Sequence, residues 1–158
     1  QSAAATPAAP AAVRAGPTLR QLLADEEASG RLRIDENGPE ARVTLIAPEL
    51  FAPASATLDP LYRPLLHAVG AALEKVPGRV LIEGHTDDQP PRTLAFRDNY
   101  ELARARAETV RKILGTEVRN AGRLEIVAKG ASQPRYKPPS TPENRARNRR
   151  VEIVHVRD

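Results

Sequence analysis

Cysteine, methionine and tryptophan are all missing from this 158-residue chain, and three tyrosines and two phenylalanines are its whole aromatic content. Without cysteine there is no disulfide, no thiolate metal site and no thiol nucleophile, and the redox compartment stays open. So few aromatics require a core of Leu, Ile, Val and Ala, and leave almost no platforms on which nucleic-acid bases could stack. No run of about 18 apolar residues occurs, so no segment reads as a membrane-spanning helix. A nucleophile elbow, a glycine-rich phosphate loop and a Cys/His pair are absent too, which gives an enzyme little support. The chain starts at Gln1 and lacks methionine, so it is expected to be a processed product or excised piece whose signal or anchor would lie upstream.

What remains suffices for one domain plus a tail. Apolar residues make up 41% and charged residues 28%, with a net charge of +4. The basic excess is local: Arg135, Lys137, Arg145, Arg147, Arg149 and Arg150 stand against Glu143 alone. That run suggests either a partner with acidic groups or a solvated basic loop. Residues 1–17, mostly Ala and Pro, read as an extended linker. Leu19, Leu22 and Leu23 predict a short amphipathic helix between Thr18 and Ala28. Leu32 and Ile34, a turn at Asn37-Gly38, then Val43 and Leu45 predict a β-hairpin. Asp59-Pro60 opens a helix with Leu61, Leu65, Leu66, Val69, Leu73 and Val76 at helical spacing, ended by Pro77-Gly78. A short strand from Val80 to Glu83 leads into a polar loop. A second long helix follows, capped by Asp98 and Glu101, with Leu102, Ala105, Val110, Ile113 and Leu114 inward. Leu124, Ile126 and Ala128 mark a third strand, a short helix is expected over 142–148, and a last strand over 151–156. The predicted fold class is α+β: a mixed sheet with a βαβαβ core, the hairpin and last strand added as antiparallel edges, and two long helices on one face.

Chemistry concentrates in Gly84-His85-Thr86-Asp87-Asp88-Gln89, where a buried strand emerges. A carboxylate there, beside a threonine hydroxyl and free amides, is placed to meet a ligand. His85 with Asp87 and Asp88 makes only half a metal site, because His67 and His155 belong to other elements, and no metal is expected. Adjacent Asp87 and Asp88 point to opposite sides of an extended chain, which disfavours hydrolysis by paired carboxylates. Asn99 and Arg106 lie two turns apart on nearly one helix face, with Arg104 turned to solvent. The plain reading of Arg106 is a surface arginine or an ion pair with Asp87. In Asn148-Arg149-Arg150-Val151-Glu152-Ile153, alternation turns Arg149 to the face of Val151 and Ile153 and Arg150 to the other.

Four ordered motifs, Gly84-His85-Thr86-Asp87, Asn99-Tyr100-Glu101-Leu102, Ala105-Arg106-Ala107 and Asn148 to Ile153, resemble a known family. It is the peptidoglycan-binding domain shared by the C-terminal part of outer-membrane protein A and the flagellar stator subunit MotB. The resemblance runs from about Leu50 to Val156. The run ending at Phe51, Val76-Pro77-Gly78-Arg79-Val80, and Asp88-Gln89-Pro90 with Arg92 are similar to the extended form in the DotU/TssL inner-membrane subunit of type VI secretion. On this resemblance, residues 18–49 form a helix-and-hairpin extension and 50–158 the wall-binding domain. It implies a non-catalytic anchor without cofactor, periplasmic in a Gram-negative bacterium and joined to the inner membrane only through an upstream helix. Its implied partners are peptidoglycan and other envelope subunits of a secretion complex, with a homodimer if it follows the stators; nucleic acid is not among them.

The resemblance assigns Asp87 to the ammonium and Arg106 to the carboxylate of the free end of diaminopimelate. Thr86, Asn99 and Leu102 would line the pocket, and Arg149 would add a second positive contact. Asp87 and Arg106 are nineteen positions apart, as in the longer loop of the stator and type VI branches. Ala103 and Asp88 depart from the serine and asparagine usual in the family. The reading put first is a type VI wall anchor, with a MotB-type stator anchor or a scaffold of weakened wall binding as alternatives. A polyanion-binding module and a peptidoglycan-cleaving enzyme are the competing classes; no helix-turn-helix or RNA-binding signature favours the former.

Overall fold

The computed structural model describes residues 16–47, 49–91 and 93–157. All of the expected linker except Gly16 and Pro17 lies outside the described residues, as does Arg92. Thr18 opens the fold with a reciprocal cap: its hydroxyl accepts from the Gln21 amide (3.2 Å), and the Gln21 side chain accepts from the Thr18 amide (2.9 Å). The expected single helix is two short ones, α1 (Leu19–Leu22) and α2 (Ala24–Ala28), because the chain breaks at Leu23 to bury that side chain beside Leu19. β1 (Leu32–Asn37) and β2 (Glu40–Leu45) pair antiparallel. Their turn is Gly38-Pro39, one residue later than expected, because Gly38 supplies the positive φ of 62°. Arg20 donates to the Ile34 carbonyl, and the Ile34 amide donates to Glu27 (3.2 Å), so α1 and α2 occupy outward backbone groups of the β1 edge.

Asp59 caps a 3-10 turn over Pro60–Tyr62, which leads into α3 (Arg63–Glu74). Pro64 falls in the first turn of α3, where its missing N–H is tolerated. β3 (Arg79–His85) runs two residues past its expected end. Asp98 caps α4 (Asn99–Gly115) by accepting from the Glu101 amide (2.9 Å), while the Glu101 carboxylate reaches the Arg97 amide (2.8 Å). β4 (Leu124–Gly130), α5 (Pro142–Asn148) and β5 (Val151–Val156) complete the described chain.

The sheet order is β1-β2-β5-β3-β4, with β3 and β4 parallel and the other pairs antiparallel. The last strand is therefore central and not an added edge. Its residues from Val151 to His155 are all buried, and a strand buried on both faces belongs between neighbours. α3 and α4 pack together on one face, α4 lies along β3 and β4, and both helices share one apolar cluster with the sheet and with Leu19 and Leu23.

The other face carries a charged network. Arg42 donates to Glu83 (2.7 Å) and Glu152 (2.8 Å), Arg150 donates to Glu152, and Arg135 donates to the Thr44 hydroxyl (2.8 Å). Burial pushes Glu83 up, but hydrogen bonds from His85 and Arg42 outweigh it and bring the carboxyl to about 2. A carboxylate held below its unfolded value contributes stability that is present above the ordinary carboxylate range and lost as pH falls toward the folded value. Stability is expected to drop by on the order of 1–2 kcal/mol between about pH 5 and pH 3, allowing for screening at the partly exposed Arg42 end. Urea unfolding measures the drop, and Glu83→Gln should remove this part of it.

Candidate functional site

The site begins where sheet and helix touch. A Cβ on Gly84 would stand 2.0 Å from the Ala103 carbonyl oxygen, so glycine alone lets α4 lie this close to β3. The contact sets the inward stripe of α4 beside the chain leaving β3. The β3–β4 register shifts between Gly84 and His85, which re-aims the residues that follow. Pairing nevertheless continues, with the His85 amide bonded to the Arg150 carbonyl and the Thr86 amide to the Gly130 carbonyl, each at 2.9 Å.

Asp87 is thereby held on every side. Thr86 Oγ1 donates to the Asp87 carbonyl (2.9 Å), Asp87 Oδ1 accepts from the Gln89 amide (3.0 Å), and Oδ2 accepts from Arg149 Nη1 (2.9 Å). One turn earlier, Arg145 Nε donates to Asp88 (2.7 Å). Two adjacent aspartates thus take two arginines one helical turn apart, which ties the loop after β3 to α5 and its C-cap. The extra charge of Asp88 is met by Arg145.

Arg106 is neither a surface arginine nor in a direct ion pair with Asp87. Its exposure is 0%, in line with Leu102, Ala103, Ala107, Val110, Ile113 and Leu114 on the buried stripe of α4. Three carbonyls receive its donors: Ser55 at 2.8 Å from Nε, Ala52 at 3.0 Å from Nη2 and His85 at 3.4 Å from Nη1. The guanidinium also lies over the Phe51 ring, 5.2 Å from its centroid. Burial lowers its pKa to about 10, an effect the charge of Asp87 opposes and that of Arg149 adds to. Arg106 is therefore a buried cation at neutral pH whose field reaches both members of the Asp87–Arg149 pair.

Thr86 and Leu102 are buried. The backbone of Asn99 touches the position of Gly130, so this residue borders the same place as Thr86. Asn99 Oδ1 and Arg149 Nε are buried without a hydrogen-bond partner. The structure thus gathers Thr86, Asp87, Arg106 and Arg149 at the end of β3, with Asn99 and Leu102 on the adjoining helix turn. Sequence reasoning missed the Ala52 and Ser55 carbonyls and Arg145.

The basic run from 135 to 150 is not a free polycation. Arg135 meets Glu152 and Asp35 (3.4 Å each), Arg145 meets Asp88, Arg149 meets Asp87, and Arg150 meets Glu152. For these four arginines the acidic groups belong to this same chain, while Lys137 and Arg147 are exposed. Glu83, His85 and Glu152 bring potential metal-ligand atoms within 4.8 Å of one another on the outer face of the sheet. Arg42 already bridges the two carboxylates, so guanidinium groups meet their charge.

A five-stranded mixed sheet with two long helices on one face and an Asp/Arg cluster at a strand exit defines an α+β domain of the OmpA-C type. The OmpA family matches residues 50–149, and the chain belongs to that family. A solved structure described as the cell wall anchor of the T6SS from Pseudomonas aeruginosa is 37% identical, with a TM-score of 0.80 over 90% of this chain and 99% of that one. A putative MotB-like protein from Desulfovibrio vulgaris is 27% identical, with a TM-score of 0.77 over 89% of this chain and 90% of that one. Motility protein B of Helicobacter pylori is 34% identical over 109 residues, which are 66% of this chain and 42% of that protein. The uncharacterized protein YtxE of Bacillus subtilis is 32% identical over 76% of this chain and 49% of that protein. The chain spans about half the length or less of these curated relatives.

Proposed function

We propose that the chain is a non-catalytic domain that binds peptidoglycan through the free end of diaminopimelate and anchors a type VI secretion membrane complex from the periplasm. The observation that carries this reading is the buried grouping of Asp87 with Arg149 and Arg106 at the end of β3. An amino-acid head group carries an ammonium and a carboxylate on one carbon, and needs an anion and a cation only a few ångströms apart. One aspartate between two arginines has a surplus positive charge for the carboxylate. Asp87 can exchange Arg149 for the ammonium, and the Arg106 fork suits a carboxylate. Asn99 Oδ1, an acceptor without a donor, is available to a second ammonium N–H. Thr86 and Leu102 supply the neutral walls.

In this reading residues 50–158 bind the wall and 18–49 form an extension of the same sheet and core. The similarity to the type VI anchor covers 90% of this chain, more than the 50–158 part alone, and supports that assembly, with envelope subunits as partners. The identity to motility protein B supports a stator-type anchor, dimeric as stators are, as the second reading. Calorimetric titration with muropeptides separates these from the competing classes. Lysine-type stems lack the carboxylate at the free end, so diaminopimelate-type stems are expected to bind at least about tenfold tighter, one charge-assisted hydrogen bond's worth. Equal affinities with steep salt dependence would favour a polyanion binder, and turnover of the muropeptide an enzyme.

A further inference from the structure

Between Phe51 and Leu58, buried residues that pair as an isolated antiparallel bridge, the chain loops out over the middle of α4. None of residues 52–57 is buried. Ala54 holds φ at +58°, a left-handed conformation that costs energy for any residue with a Cβ. Among the described residues, two α4 side chains tether this loop to the rest of the domain. Arg106 donates to the Ala52 and Ser55 carbonyls, and the single Thr109 hydroxyl proton lies between the Ala56 carbonyl (2.8 Å) and the Ala105 carbonyl of its own helix (3.0 Å), the former being nearer. The loop's other hydrogen bonds are its own, from the Ser55 amide to the Ala52 carbonyl and from the Thr57 amide to Ser55 Oγ.

We propose that residues 52–57 are a strap that closes over Arg106 and must lift before a ligand carboxylate can reach the guanidinium. The proposal rests on the wall-binding reading above. With the strap down Arg106 has no exposed surface, so nothing from outside can touch it. The strap carbonyls keep a buried cation hydrogen-bonded in the meantime, which avoids the cost of orphaned donors. A carboxylate bonds a guanidinium more strongly than neutral carbonyls do, through a bidentate fork, so an arriving ligand competes well for the same donors. The other covers of Arg106 cannot yield as readily: His85 is the last residue of a strand paired on both sides, and Phe51 is core. The strap has unburied side chains, a left-handed residue and two tethers, which places its opening at the low end of the domain's local stabilities. The closed fraction weakens apparent affinity in proportion, so loosening the strap tightens binding.

Thr109→Val keeps the shape of a side chain that lies outside the binding cluster and removes its tether. Hydrogen exchange at the bonded amides of Ser55 and Thr57 is expected to speed up by about fivefold, the effect of one lost hydrogen bond, and a diaminopimelate muropeptide to bind about fivefold more tightly. Ala54→Val, β-branched in a left-handed position, should act in the same direction. In the wild type, titration with the muropeptide should move the NMR signals of residues 52–57. Faster exchange without tighter binding, no change in exchange in either variant, or binding with the strap signals unmoved would overturn the strap and leave the wall-binding reading standing. No binding by wild type or variants, with the strap demonstrably loosened, would overturn the wall-binding reading and the strap with it.

Discussion

Gly84→Ala is expected to cost about 3 kcal/mol or more of stability and to lower the thermal midpoint by roughly 10 °C. The added Cβ meets a main-chain carbonyl oxygen at 2.0 Å, so no rotamer change relieves it. Neither partner can step aside cheaply. β3 is hydrogen-bonded to β5 on one side and β4 on the other, and α4 is a 17-residue helix whose buried stripe is already filled. Because domains are stable by only about 5–15 kcal/mol, such a loss removes a large part of the margin. Gly115→Ala is the control: the nearest atom to its Cβ would be Leu124 Cδ1 at 4.0 Å, so that change should be close to neutral. Circular dichroism melts compare the two. An unchanged midpoint for Gly84→Ala would mean that α4 does not lie on β3 as described, and that the site is not assembled by this contact.

The second large effect is on ligand binding. Asp87→Asn keeps an acceptor for the Gln89 amide and removes the negative charge that faces Arg149 and Arg106. Loss of a charge-assisted hydrogen bond to an ammonium is worth about 2 kcal/mol, so affinity for a diaminopimelate muropeptide should fall by roughly thirtyfold. Arg106→Lys keeps the charge and loses the fork, and should weaken binding by about 1 kcal/mol or more. A lysine ammonium cannot satisfy the Ala52, Ser55 and His85 carbonyls in the same plane, so this variant should also lose stability. Affinities measured well below the melting midpoint keep the two effects apart.

Some of this was written in the sequence and some was not. The hairpin, both long helices and the Asp59 and Asp98 caps were legible because each rests on local rules: a period of two, a period of 3.6, and an oxygen two or three residues ahead of an amide. The central place of β5 was not legible from alternation alone, since pairing partners lie up to 116 positions apart, as for Glu40 and Val156. The unbroken burial of Val151 to His155 was its trace, masked by Glu152 and His155, whose charge and polarity imitate a solvent face. Arg106 teaches the same lesson at the site. Its position four residues after Leu102 and four before Val110 puts it on the buried stripe by helical period, although its charge argues for the surface. The carbonyls that make burial tolerable come from Ala52 and Ser55, and main-chain oxygens leave no mark in a sequence. For the arginines between 135 and 150, their number was visible but not their partners. Asp35, Asp87 and Asp88 become neighbours only once the chain is folded, whereas Glu152 stands two residues from Arg150 on the same face of β5.

Co-sedimentation with purified diaminopimelate-type sacculi tests the central claim most directly, using wild type, Asp87→Asn and Arg106→Lys with folding of each checked by circular dichroism. The account predicts that the wild type pellets with the sacculi, that folded Asp87→Asn stays in the supernatant, and that Arg106→Lys pellets only in part. Pelleting of folded Asp87→Asn to the same extent as the wild type would contradict it.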